Sequence, residues 1–153
     1  MIAKINDFSP ATTTTLIWTI GYQGRTISDF IHTLQKHQID VLVDVRILPF
    51  SRKRGFSKTP LTTHLETHHI SYLHCRELGN PKENRSNDVV ECLRRFEEYM
   101  VPRWTAALAC PLALARSKRI CLMCMEANPA ECHRTSVANA LAQRLDGCKI
   151  VAL

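Results

Sequence analysis

Cys124, Glu126, Cys132 and His133 form the group of side chains in this sequence best suited by type and spacing to do chemistry. Two chemistries fit them. In the first, Cys124 or Cys132 is a thiolate nucleophile. Placement at a helix N-terminus beside His133 and Arg134 lowers its pKa, and Glu126 serves as acid or base. In the second, Cys124, Cys132 and His133 are ligands of zinc or iron, with a carboxylate or water completing the shell. Their spacing matches no standard zinc motif. The plain alternative is a pair of buried thiols, with His133 and Arg134 capping nearby carbonyls. Cys121 and Cys124 also spell C-x-x-C, but on a strand residues three apart point to opposite faces. Cys121 is therefore expected in the core, and Cys124 at the strand end is the functional candidate.

Three further groups carry charge or special backbone. Gly21-Tyr22-Gln23-Gly24 is a turn between a strand and a helix, where backbone N–H groups can face an anion. It lacks the third glycine of a dinucleotide fingerprint, and a tight turn needing glycine explains it slightly better. Asp44-Val45-Arg46 ends a buried strand, so Asp44 needs a partner there. Arg46 is either that partner or a group that Asp44 aims at a bound anion. From Arg46 to Lys58 the chain carries Arg46, Arg52, Lys53, Arg54 and Lys58, with no acidic residue. Phe50 and Phe56 lie among these bases, a mixture that can hold a nucleotide or a single strand. His64 and His68 stand one helical turn apart without the adjacent glutamate of a zinc protease, and surface histidines explain them better.

Several enzyme classes are excluded. Cys132 and Arg134 are too close for the phosphatase loop, and the sequence holds neither a P-loop nor a G-x-S-x-G elbow.

Strands and helices alternating along the chain must position these groups. The apolar runs Leu16–Ile20, Ile39–Val45, Ile70–His74, Arg119–Met125 and Lys149–Ala152 read as strands. Thr26–Gln38, Lys58–His68, Asp88–Met100 and Arg103–Ala115 read as helices. A last helix is expected from Cys132 or Arg134 to Leu145, capped by Gly147. Gly79–Asn87 reads as a mobile loop. This order predicts a three-layer α/β/α domain of the Rossmann-like kind, with a mostly parallel sheet of about five strands. Ligands of such sheets bind beyond the strands' carboxyl ends, where Gly21, Asp44, His74 and Cys124 fall.

At 153 residues, the chain is expected to be a flexible N-terminal segment, residues 1–15, followed by a single domain over residues 16–153. No apolar run approaches a membrane span, since Ala106–Ala115 is short and contains Pro111. The polar N-terminus is unlike a secretory signal. Seven cysteines, an odd number, then imply reduced thiols in the cytoplasm. The net charge of +6 favours anionic partners, a small ligand or nucleic acid.

Taken in order, Thr19-Ile20-Gly21-Tyr22, Asp44-Val45-Arg46, Pro49, Ser51-Arg52, Gly55-Phe56-Ser57-Lys58, Tyr72, Leu78-Gly79, Cys124-Met125-Glu126 and Cys132-His133-Arg134 resemble the DUF488 family. The resemblance runs from about Trp18 to the last strand. Cys121 and Met123 stand where plain aliphatics are expected, a mild departure. The resemblance implies an α/β fold and one shared site, and no reaction. That site would have Cys124, Glu126, Cys132 and His133 as its reacting groups. Gly21, Asp44, Arg46, Arg52, Tyr72 and Arg134 belong to the same implied site, and with Tyr22 and Lys58 they are expected to surround the anion. The leading expectation is a cysteine-dependent or metal-dependent hydrolase or transferase for a small nucleotide-like or phosphate-bearing substrate. A nucleic-acid-binding module built on residues 46–58, and a Cys/His metal-binding regulator, are the alternatives.

Overall fold

The computed structural model describes residues 13–153, so residues 1–12 of the expected N-terminal segment lie outside the described residues. Five strands, β1 (Leu16–Gly21), β2 (Val41–Asp44), β3 (Ser71–His74), β4 (Ile120–Cys124) and β5 (Lys149–Ala152), pair in one all-parallel sheet. Their order is β3-β2-β4-β1-β5. Five helices connect them: α1 (Ile27–Lys36), α2 (Lys58–Thr67), α3 (Val89–Met100), α4 (Trp104–Ala115) and α5 (Arg134–Ala142).

The strands are apolar on both faces because helices cover both faces, as a parallel sheet requires. Trp18, Ile20, Leu42, Cys121 and Met123 pack with Phe30 and Leu34 of α1 and Leu61 and Leu65 of α2. Ile17, Val43, Leu122 and Cys124 pack on the other side with Phe96 of α3, Leu108 of α4 and Val137 of α5. Cys121 and Cys124 thus lie on opposite faces of β4, as the strand period demands.

Local chemistry sets the ends of these elements. Thr26 caps α1 by accepting the Asp29 N–H at 3.1 Å, and its hydroxyl donates to the Asp29 carboxylate at 2.7 Å. Asp88 caps α3 by accepting the Glu91 N–H at 3.2 Å. The last helix is shorter than expected. It stops at Ala142, and Gly147, with φ 61°, shapes the turn into β5 and does not cap the helix. The segment expected as a mobile loop contains a 3-10 turn over Lys82–Asn84, and its Gly79 packs directly on the Ile47 backbone. No helix among the described residues is long and apolar enough to cross a membrane.

The strand order creates a switch point at β4. Chains leaving β1 and β2 pass to the α1/α2 side, whereas the chain leaving β4 passes to α5 on the opposite side. A crevice must open where those exits diverge, at the carboxyl end of β4. Cys124 is the last residue of that strand.

Candidate functional site

Beyond β4 the chain runs through Met125–Asn128, a 3-10 turn at Pro129–Glu131, and then Cys132 and His133 at the start of α5. This return brings Cys132 and His133 back over Cys124. One side-chain donor atom from each of the three lies within 4.8 Å of the other two. All three residues are buried. The Cys124 Sγ is 3.8 Å from Nδ1 of His133.

The imidazole is held from two sides. Its Nε2 lies 2.9 Å from the Val45 carbonyl oxygen, an acceptor only. Nε2 therefore carries the proton, and in the neutral ring the lone pair of Nδ1 faces the thiols. The Phe96 ring packs edge-on at 4.9 Å between centroids. Burial pushes the His133 pKa down, but Cys132, the Val45 carbonyl and Glu126 outweigh it and leave the pKa raised. The Cys132 thiol is pushed up, first by the neighbouring Cys124 and then by burial. Burial also favours the neutral form of Glu126. The adjoining thiols of Cys132 and Cys124 and the His133 ring oppose it and hold the carboxyl below its usual range. One Glu126 oxygen, Oε2, is buried without a hydrogen-bond partner.

The loop carrying Glu126 is pinned by backbone. Tyr22 N donates to Cys124 O at 3.2 Å and Gln23 N to Met125 O at 2.9 Å, extending the β1–β4 pairing past both strands. These two amides are thereby taken up by backbone carbonyls, in keeping with the tight-turn reading of this segment over the anion-facing one. A Cβ on Gly21 would sit 1.8 Å from Glu126 O, so glycine serves here for close approach of two chains. Arg134, expected to hold an anion, lies fully buried beneath the same loop. Its guanidinium donates to Glu126 O at 2.5 Å and to Ala127 O at 3.3 Å.

The second constellation stands at the end of β2. Arg46 donates to both Asp44 oxygens, the shortest contact being Nη2 to Oδ2 at 2.6 Å. The Asp44 carboxylate also accepts the Arg46 backbone N–H at 3.1 Å and the Tyr72 hydroxyl at 2.7 Å. Arg46 Nη1 donates to Phe56 O at 2.8 Å, and the guanidinium lies over the Tyr22 ring, which stacks on Phe56. Arg46 is therefore a neutralised, buried pair with Asp44 that also borders the crevice.

That crevice is a cavity of about 550 Å³. Cys124, Glu126, His133 and Arg46 all line it. Lys82, Arg85 and Cys92, which the sequence did not single out, line it as well, together with Asn80, Ser86 and Glu131. Neither Lys82 nor Arg85 belongs to an ion pair among the described residues. The signal for them was two bases inside one polar loop, too common a pattern to stand out. Arg52 and Lys58 are exposed and do not line the cavity. Tyr72 reaches the site only through Asp44. The exposed His64 and His68 stand with His32 around a separate, smaller depression between α1 and α2.

Compared with known proteins, the chain matches one family model over residues 26–141, that of a domain of unknown function, DUF488. No curated protein and no solved structure matches it.

Proposed function

The chain belongs to the DUF488 family, a domain of unknown function, and from that premise we propose that it is an enzyme, a hydrolase or transferase, acting on a small anionic substrate in the cavity beyond β4. One observation carries the reading. The Cys124, Glu126 and His133 group and two unpaired bases, Lys82 and Arg85, line the same cavity. The first set supplies reacting groups and the second supplies charge for a phosphate-like anion. Arg46, held by Asp44, lines the same cavity. Free thiols at all seven cysteines suit a reducing, cytoplasmic setting.

The test has a binding arm and a turnover arm. Titration with inorganic phosphate and with nucleoside mono-, di- and triphosphates is expected to reveal at least one saturable ligand. Lys82→Ala and Arg85→Ala should each weaken it by roughly ten- to a hundredfold, the worth of a charged hydrogen bond. Phosphorus NMR of the bound ligand should show turnover that Cys124→Ser abolishes. A protein that binds none of these anions, or whose turnover survives Cys124→Ser, contradicts the proposal.

A second reading rests on Phe50, 70% exposed, beside the exposed Arg52 and Arg54. An aromatic platform flanked by bases suits a single-stranded nucleic acid. It predicts oligonucleotide binding that weakens steeply with salt and is lost in Phe50→Ala. Salt-insensitive binding would remove it.

A further inference from the structure

We propose that Cys124, Cys132 and His133 form a zinc site whose remaining coordination position faces the cavity beside Glu126. The inference rests on the enzyme reading for its purpose, but its geometry stands independently.

Four observations converge. Two thiols and an imidazole nitrogen meet within 4.8 Å, which exposed surface cysteines would not do by chance. A tetrahedral zinc with ordinary Zn–S and Zn–N bonds places sulfur and nitrogen about 3.6 Å apart. Here Cys124 Sγ and His133 Nδ1 are 3.8 Å apart. The donors are thus spaced for an ion with little movement.

The outer contacts of His133 are those a metal ligand needs. Its Nε2–H is held by Val45 O, so Nδ1 is fixed as the lone-pair nitrogen aimed at the thiols. Ligating histidines commonly show this backbone-carbonyl support, which sets both tautomer and ring orientation. The Phe96 edge removes the remaining freedom.

Glu126 supplies the third observation. Its Oε2 is buried without a hydrogen-bond partner, in a residue that lines the same cavity as Cys124 and His133. A buried carboxylate oxygen with nothing to bind calls for an explanation. A cation among the three donors provides one, with Glu126 beside its open position as a further ligand or as the base for a bound water.

The fourth observation is rigidity. The donors sit on the central strand and at the start of α5, and the intervening loop is clamped by Arg134 and by contact with Gly21. Two thiolates favour zinc over the harder cations, and two sulfurs, one nitrogen and an open position make a known catalytic zinc set.

The experiment measures metal directly. Full-length protein is purified without chelator, stripped, and reconstituted anaerobically with zinc or with cobalt. The expected content is one zinc per chain. The cobalt form should show thiolate-to-metal charge-transfer bands and the intense visible bands of four-coordinate cobalt. Cys132→Ser and His133→Ala should lose the metal, whereas Cys92→Ser, a thiol of the same cavity held by Asn80, should keep it. Wild-type protein that takes up less than half an equivalent, a cobalt spectrum without sulfur bands, iron retained against added zinc, or a Cys124–Cys132 disulfide formed in place of uptake each overturns the site. These readouts need no turnover. Lys82→Ala with full metal and weakened phosphate binding separates the two ideas. Metal without any anion binding overturns the substrate reading alone.

Discussion

Asp44 shows how one residue sets the character of a wall. It is fully buried, and it neutralises Arg46 while receiving the Tyr72 hydroxyl. Asp44→Ala would leave a buried guanidinium without its partner, at a cost of about 3–5 kcal/mol. Tyr72→Phe removes a single hydrogen bond to that charge and should cost about 1.5–3 kcal/mol. Urea melts of both variants check the ranking, and equal losses would show that the pair does not hold the wall. Gly21→Ala is expected to cost at least about 2 kcal/mol, since the new methyl meets Glu126 O with no room to turn. An unchanged urea midpoint would refute the close approach. Of these roles, the Asp44–Arg46 pairing was legible, because a charge at the end of an apolar strand demands a neighbour. For Arg134 the sequence offered both an anion and nearby carbonyls, and its bonds to Glu126 O and Ala127 O follow the carbonyl reading. Nothing within its own helix says which carbonyls those would be.

Elements were more legible than their ends. The strands stood out as short apolar runs. The other helices were legible only from composition and from breakers at their ends, whereas α1 showed an amphipathic stripe whose start Thr26 and Asp29 announced. Thr26→Ala should destabilise the protein by about 1 kcal/mol through loss of that cap, and Thr26→Ser by much less. A calorimetric melt distinguishes the two. On α3, Glu91 binds Arg94 and Arg95, and those contacts hold its carboxyl down to about 2. A lowered pKa in the folded state means stability that is present above the unfolded value and lost as pH falls toward about 2. Glu91→Gln should therefore lower the melting point slightly at neutral pH and converge on the wild type as pH falls toward about 2, which flattens the acid side of the profile. A steeper acid side would contradict this. The 3-10 turns at Arg76–Leu78, Lys82–Asn84 and Pro129–Glu131 went unread, since such turns are too short to carry a period.

At the scale of the molecule, alternation of strand and helix pointed to a parallel sheet, yet the order β3-β2-β4-β1-β5 was beyond it. Parallel partners are chosen by packing between distant segments, which no local pattern records. Insertion of β4 between β1 and β2 is what gathers Gly21, Asp44 and Cys124 at one edge. The same layering sorts the thiols. Cys110 is exposed, whereas Cys121 is sealed between sheet and helices, and Cys75 is pushed up to about 12, chiefly by burial. Thiol-reactive dye at mildly alkaline pH should label Cys110 first and reach Cys75 and Cys121 only after unfolding. Early labelling of Cys121 would mean that the α1/α2 layer opens easily.

The central place of β4 also gives the two sides of the cavity different clocks. Cys124 pairs across from Gly21, and the bonds continue through Tyr22 and Gln23. Opening that floor means separating the middle of the sheet, an event close to global unfolding. The wall bearing Lys82 and Arg85 hangs on a single short turn whose Arg85 N–H reaches only Lys82 O. Amide hydrogens there should exchange with solvent orders of magnitude sooner than those of residues 121–124. A ligand that bridges the cavity would slow the wall and leave the floor untouched, so exchange at the wall becomes a gauge of occupancy that needs no knowledge of the reaction.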